Sequence, residues 1–348
     1  MSSDMSRVTN VLLAIAATFI VIAGLKAASS FVVPVILSLF VSIILGPLYF
    51  FLANLKVPKT DKTIPDWLAM ILVVVVMSLL FFLIGRLVGN SVEQFSAKLP
   101  EYEIMLRAKL AGAMTWLEGL GFNIPEATLA ERFSPSTVMS LSASVLNGLG
   151  GMLSNLFLIV LTSIFLLMEA SVFGEKMQRA FPSAESKAHL GLSEVIDKIK
   201  RYATIKSIVS LLTGALISVW LVILDVEYPF LWGLVAFMFN FVPNIGSIIA
   251  AVPAVIMAWL TQDSITTPLL VAAGYLTVNF VVGNIVEPKF MGKGLGLSTL
   301  VVFLSLLFWG WVLGPVGMLL SVPLTIIVKI ILDSNKETQW IGIMLGDK

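Results

Sequence analysis

The residues able to do chemistry in this chain are amides, hydroxyls and one carboxylate embedded in apolar sequence. They gather in two stretches. One reads Phe237-Met-Phe-Asn-Phe-Val-Pro-Asn-Ile-Gly-Ser-Ile-Ile-Ala250 and holds Asn240, Asn244 and Ser247 around Pro243 and Gly246. The other runs from Asn279 to Thr299 and holds Asn279, Asn284, Glu287, Ser298 and Thr299 around Pro288, Gly292, Gly294 and Gly296. Each amide offers two donors and an acceptor, which suits a neutral, hydroxyl-rich solute. The plainer use of such groups is to bond one helix to another. The coincidence of amides with helix breakers favours a solute site. Glu287 has two open readings: a proton or sodium site, or the ion-pair partner of Lys289 or Lys293.

Breakers in such surroundings carry information. An unpaired peptide group in hydrocarbon costs several kcal/mol, so an interrupted helix survives only inside protein or beside a polar cavity. Gly- and Pro-interrupted apolar segments in a polytopic chain point to a transporter's binding region. The glycines at 292, 294 and 296 would let the second stretch move, and Gly314-Pro315 marks a third interruption.

Composition sets the class. The 348 residues are 58% hydrophobic and 12% charged, with a mean hydropathy of +1.00. Soluble domains are nearer a quarter charged, so the chain is read as an all-α polytopic membrane protein. The net charge of +1 gives no reason to expect a nucleic-acid partner. Without cysteine there is no disulfide, thiolate metal site or cysteine nucleophile. His189 is the only histidine, which leaves no zinc cluster. The Gly292-Lys293 pair is followed by Gly294, and position 287 is Glu, so no Walker A phosphate loop exists. No metal, cofactor or catalytic residue is expected, and the enzyme reading is set aside.

The elements that must position these groups follow from span length, about 20 apolar residues per crossing. Residues 1–88 hold three N-terminal spans: Val11–Leu25, read as uncleaved, then Phe31–Ala53 and Trp67–Val88. Residues 89–145 read as a small helical extracytoplasmic insertion. Pro100 sits at a first helical position, and Tyr102, Leu106, Leu110, Ala113, Leu117 and Leu120 lie on one face. Residues 146–169 form a fourth span. Residues 170–206 form a cytoplasmic amphipathic helix, either solvated or drawn to an anionic leaflet by Lys198, Lys200, Arg201 and Lys206. Residues 207–332 form a core of broken helices or hairpins, with interruptions in Phe230–Leu260 and Leu297–Leu332, and residues 333–348 a cytoplasmic tail. This makes about seven to eight transmembrane or re-entrant elements. Whether the breaks are re-entrant tips or kinks in full spans stays open.

Lysine and arginine in short loops mark the cytoplasm. Lys56, Lys59 and Lys62 then lie inside, as do both termini, and the acidic insertion lies outside. Entry of Phe230–Leu260 from the outer side and return to it would put Lys289 and Lys293 inside, in agreement with the rule.

Three stretches carry a family resemblance. Val242-Pro-Asn-Ile-Gly-Ser247, Glu287-Pro-Lys-Phe-Met-Gly-Lys-Gly-Leu-Gly-Leu-Ser-Thr299 and Phe308-Trp-Gly-Trp-Val-Leu-Gly-Pro-Val-Gly-Met-Leu-Leu-Ser-Val-Pro-Leu324 resemble the autoinducer-2 exporter family. The resemblance implies a bacterial inner-membrane protein exporting the quorum-sensing signal autoinducer-2. It also implies a homo-oligomer, for which a pentamer is one form. Some relatives are described as sodium(lithium)/proton antiporters, so the family leaves the solute open. The readings carried forward are secondary export of autoinducer-2 or a similar small polar metabolite, a cation/proton antiporter using Glu287, and a non-transporting membrane scaffold. A passive channel is a variant of the first.

Overall fold

A peptide chain in lipid must satisfy its own backbone, and every regular element among the described residues is a helix. In the computed structural model the described residues are 2–55, 64–119, 155–180, 187–242, 246–291 and 296–347. The helices are α1 Ser2–Ala27, α2 Ser29–Ala53, α3 Asp66–Gly119, α4 Leu156–Ala180, α5 Lys187–Ile223, α6 Pro229–Phe239, α7 Gly246–Thr261 and α8 Thr266–Val281. A π-helical turn, Val282–Val286, leads into α9 Glu287–Met291; α10 Thr299–Leu319, α11 Ser321–Ser334 and α12 Gln339–Leu345 complete the chain. Among the described residues, five helical stretches are long and apolar enough to cross a membrane: Ser29–Ala53, Asp66–Gly112, Asp197–Ile223, Thr266–Phe290 and Thr299–Leu319. The protein is an all-α, multi-pass membrane protein.

Two compact units divide the chain. The first comprises Met1–Met70, Phe157–Ala203 and Leu295–Lys348. Small hydroxyl residues join its helices α2 and α4. Ser42 Oγ donates to the Ser163 carbonyl at 3.2 Å, and Ser163 Oγ donates to the Ser38 carbonyl at 3.2 Å. Small residues let membrane helices approach, and hydroxyls then bond across the gap. Within α10, Gly314 adopts φ 67°, ψ −153°, a backbone state closed to residues with a Cβ. The helix breaks there, as expected for Gly314-Pro315. Across the break, Trp309 Nε1 donates to Thr325 Oγ1 at 3.0 Å, tying α10 to α11.

The second unit comprises Ile71–Leu156 and Thr204–Gly294. Its core contains Phe95, Tyr102, Ile217, Leu221, Trp232 and Met257. Here α6 and α7 form a hairpin. Its two ends meet where Gln262 Nε2 donates to the Asp225 carbonyl at 3.0 Å, and its tip lies at residues 240–246. At 11 residues α6 is about 16 Å long, too short for a hydrocarbon core of about 30 Å. Phe230–Leu260 is therefore not one continuous span but two short helices paired as a hairpin. Gly246 is required at the tip, because an added Cβ would sit 1.8 Å from the Phe239 carbonyl oxygen.

Three expectations are corrected. The insertion is not a separate helix capped at Pro100; α3 runs unbroken for 54 residues, about 80 Å, through Pro100. Val88, Phe95, Tyr102 and Leu106 form one buried stripe across the proline. Burying large apolar side chains at about 2 kcal/mol each outweighs the roughly 3 kcal/mol penalty of an internal proline. Likewise α5 carries the amphipathic segment straight into the fifth span. Thirdly, the second amide-rich stretch stays helical as far as Met291 and widens to a π-turn at Val282–Val286. Lys56, Lys59 and Lys62 lie outside the described residues, as does the part of the expected insertion beyond Gly119.

Gly246→Ala is expected to destabilise the protein by about 1–3 kcal/mol through overpacking, read as a lowered melting temperature in detergent. Gly24→Ala, where an added Cβ meets nothing within 4 Å, serves as the control and should leave it unchanged.

Candidate functional site

The site is built on the second half of α5. Lys206, Ser210 and Thr213 recur on one face at helical spacing, and all three are buried. Close to the hairpin that face becomes small: an added Cβ at Gly214 would lie 2.7 Å from the Gly233 carbonyl oxygen, and α6 packs against it there. The hairpin tip thereby descends to the level of Ser210. Asn240 Nδ2 donates to Ser210 Oγ at 2.9 Å, about 20 Å along α5 from its end at Ile223.

One turn further from Ile223, Lys206 meets Glu287. Lys206 Nζ donates to both Glu287 carboxylate oxygens, at 2.8 and 2.9 Å. The lysine side chain is 8% exposed and the glutamate 19%. Glu287 is delivered by the π-turn, whose last bond runs from the Glu287 N–H to the Val282 carbonyl. The cause is local. Pro288 has no N–H to donate and its ring crowds the carbonyl four residues back, so the turn before it widens. The described partner of Glu287 is thus Lys206 and not Lys289, which is exposed. Lys206 is correspondingly not a solvated leaflet-facing cation.

The remaining candidates disperse. Ser247 is half-buried in the first turn of α7. Asn279 Nδ2 donates to Tyr275 O at 2.7 Å and Asn284 Nδ2 to Phe280 O at 3.1 Å, both within their own helix. Ser298 belongs to the other unit and caps α10, accepting from the Val301 N–H at 3.3 Å; Thr299 beside it is exposed. Gly296 has φ +70°, which fits a glycine ahead of that cap. Pro243, Asn244, Gly292, Lys293 and Gly294 lie outside the described residues. A groove of about 410 Å³ between α5 and α8, lined by Leu216, Trp220, Leu270, Gly274 and Thr277, is almost wholly apolar and suits an acyl chain better than a polar solute.

At the open end of the hairpin a second polar cluster fastens it to α3. Lys98 Nζ pairs with Glu227 at 2.8 Å, and Tyr102 donates its hydroxyl to the same carboxylate. Tyr102 and Tyr228 hydroxyls are 3.2 Å apart, and Lys109 Nζ donates to the Gln262 carbonyl at 2.8 Å.

The sequence profile described as AI-2E family transporter matches residues 11–337. The chain belongs to the AI-2E transporter family. Among its AI-2E relatives, a Haemophilus influenzae protein provisionally named for transport is 42% identical over 97% of this chain and 96% of its own. The Escherichia coli AI-2 transport protein TqsA is 38% identical over 94% and 93%. The E. coli protein YhhT, also provisionally named for transport, is 35% identical over 97% and 94%. A transport role, and not an enzymatic one, follows from the AI-2E assignment.

What the sequence did not flag in this AI-2E chain is Lys206 with Ser210. The signal was present: a lysine, a serine and a threonine at positions 206, 210 and 213 on one face of an otherwise apolar span. The basic neighbours Lys198, Lys200 and Arg201 made Lys206 look like the end of a solvated run.

Asn240→Ala, Ser210→Ala and the double variant should show a coupling of about 1 kcal/mol in a double-mutant cycle. Thermal or denaturant unfolding in detergent checks this; purely additive effects would mean that the bond contributes nothing.

Proposed function

We propose that the protein is a secondary transporter exporting autoinducer-2, or a similar small polar metabolite, across the bacterial inner membrane. The observation that carries this reading is the α6–α7 hairpin, whose tip brings Asn240 to Ser210 one turn from a buried ion pair. Interrupted helices with polar tips at membrane depth are how transporters present polar groups to a solute. Its 38% identity to TqsA supports the choice of solute. The absence of a Walker A loop supports secondary energetics. Asn240 and Ser247, with Asn244 in the tip sequence, are the solute-facing set. Asn279 and Asn284 have spent donors on their own helix. A cation/proton exchanger would need Glu287 open to a cation, whereas its carboxylate is held by Lys206.

The orientation proposed has both termini in the cytoplasm. The α3 extension and the hairpin base lie on one side of the second unit, joined through Lys98–Glu227. With the acidic insertion outside, the hairpin enters from outside and Lys289 falls inside, as the distribution of lysines in short loops requires. The working form is proposed to be a homo-oligomer within the bilayer.

Proteoliposomes carrying the protein inside-out should accumulate labelled autoinducer-2 faster than protein-free ones, and an imposed proton gradient should change the rate. Asn240→Leu should reduce the rate by about tenfold or more, the effect of losing a buried polar contact, while Asn284→Leu leaves it near the parent value. Rates equal to protein-free vesicles would reject the proposal.

A further inference from the structure

Resting on that export reading, we infer that Lys206 is a solute-binding residue and that Glu287 is its stand-in ligand while the site is empty of solute. The ammonium is the strongest hydrogen-bond donor at the depth of the hairpin tip. It lies one helical turn from Ser210, which already holds Asn240. Glu287 presents two oxygens to it at 2.8 and 2.9 Å. A solute group rich in acceptor oxygens, such as a carboxylate or an array of hydroxyls, could offer the same two contacts.

Three features argue against a purely structural pair. Replacing a buried ion pair by apolar side chains is often neutral or stabilising, so stability alone gives little reason for it. An ionisable residue within a membrane span is by default functional. Finally, Glu287 is mounted on the softest part of its helix. The π-turn Val282–Val286 can tighten to α-helical bonding by shifting one residue, which would carry Glu287 away from Lys206 without unwinding α8. Such wide turns recur at functional sites. The next residue, Ser207, has a buried hydroxyl oxygen with no partner among the described residues, a further group that an incoming solute could satisfy. Lys289, two residues beyond Glu287 on α9, is exposed and leaves the pair to itself.

The test uses the full chain in proteoliposomes and in detergent. The double variant Lys206→Leu/Glu287→Leu removes both charges together. It should melt within a few degrees of the parent and lose at least about tenfold in autoinducer-2 flux. Glu287→Gln keeps the lysine while loosening its resting partner, and should lower the half-saturating concentration of autoinducer-2. Parent-like flux in the double variant, or a raised half-saturating concentration in Glu287→Gln, would overturn the inference. If the parent itself moves no autoinducer-2, the export reading fails alone. Lys206 is then judged by the melting-temperature rise that millimolar D-gluconate, a hydroxylated carboxylate, produces by binding the folded state. A rise in the parent that is absent from the double variant upholds the assignment. Equal rises, or none in the parent, overturn it.

Discussion

A helix that stops inside a membrane must find partners for the peptide groups it exposes, and the second unit is organised around that demand. The α6–α7 hairpin meets it first with its own backbone. The Phe241 N–H donates to Met238 O at 3.2 Å and the Val242 N–H to Phe239 O at 2.9 Å, so the last turn of α6 tightens instead of opening. The Gly246 N–H then reaches Val242 O at 3.3 Å and starts α7. Close return of the chain is possible only because position 246 lacks a Cβ. With the N–H groups of Phe241, Val242 and Gly246 paired to backbone, the Asn240 side chain is left to reach α5.

The same demand explains the other interruption. Pro288 takes away one N–H, and a helix in lipid that simply broke there would expose several more. Widening to a π-turn limits the loss, because the Glu287 N–H skips to Val282 O and Asn284 Nδ2 supports the Phe280 carbonyl. An amide read in sequence as a solute contact is thus repairing backbone. Asn279 does likewise for Tyr275 O. The helix survives to deliver Glu287 to Lys206, and a defect in hydrogen bonding becomes the placement of a charge.

Local chemistry was legible in the sequence, and pairing at a distance was not. The break at Gly314 and the interruption near Pro243 follow from residues that cannot continue a helix, so their positions could be read directly. Pro100 was misread because a proline that opens a helix and one tolerated inside it look alike locally. The distinction lies in the buried stripe through Val88, Phe95, Tyr102 and Leu106, which needs the far partners of α3 to be known. Glu287 and Lys206 are separated by 81 positions. Nothing in the neighbourhood of either predicts the other, whereas Lys289 is adjacent in sequence yet points to solvent.

The two ends of the hairpin are held with unequal strength, and this shapes how it can move. Its base carries a charge-assisted cluster: Lys98 and Tyr102 on Glu227, with Lys109 on Gln262. Bonds to charged groups are worth about 1.5–3 kcal/mol each. The base also holds Tyr228 in a left-handed conformation, φ 58°, a strain of about 1–3 kcal/mol that persists only where surrounding contacts enforce it. At the tip, Asn240 makes a neutral bond to Ser210, worth about 1 kcal/mol. A displacement of the hairpin therefore costs least at the tip, with the base as its fixed end. That end is fastened by the long α3 helix, and this gives the apolar stripe running past Pro100 its purpose. It supplies a long strut to which the base of the hairpin is fastened, while the tip is held only lightly against α5.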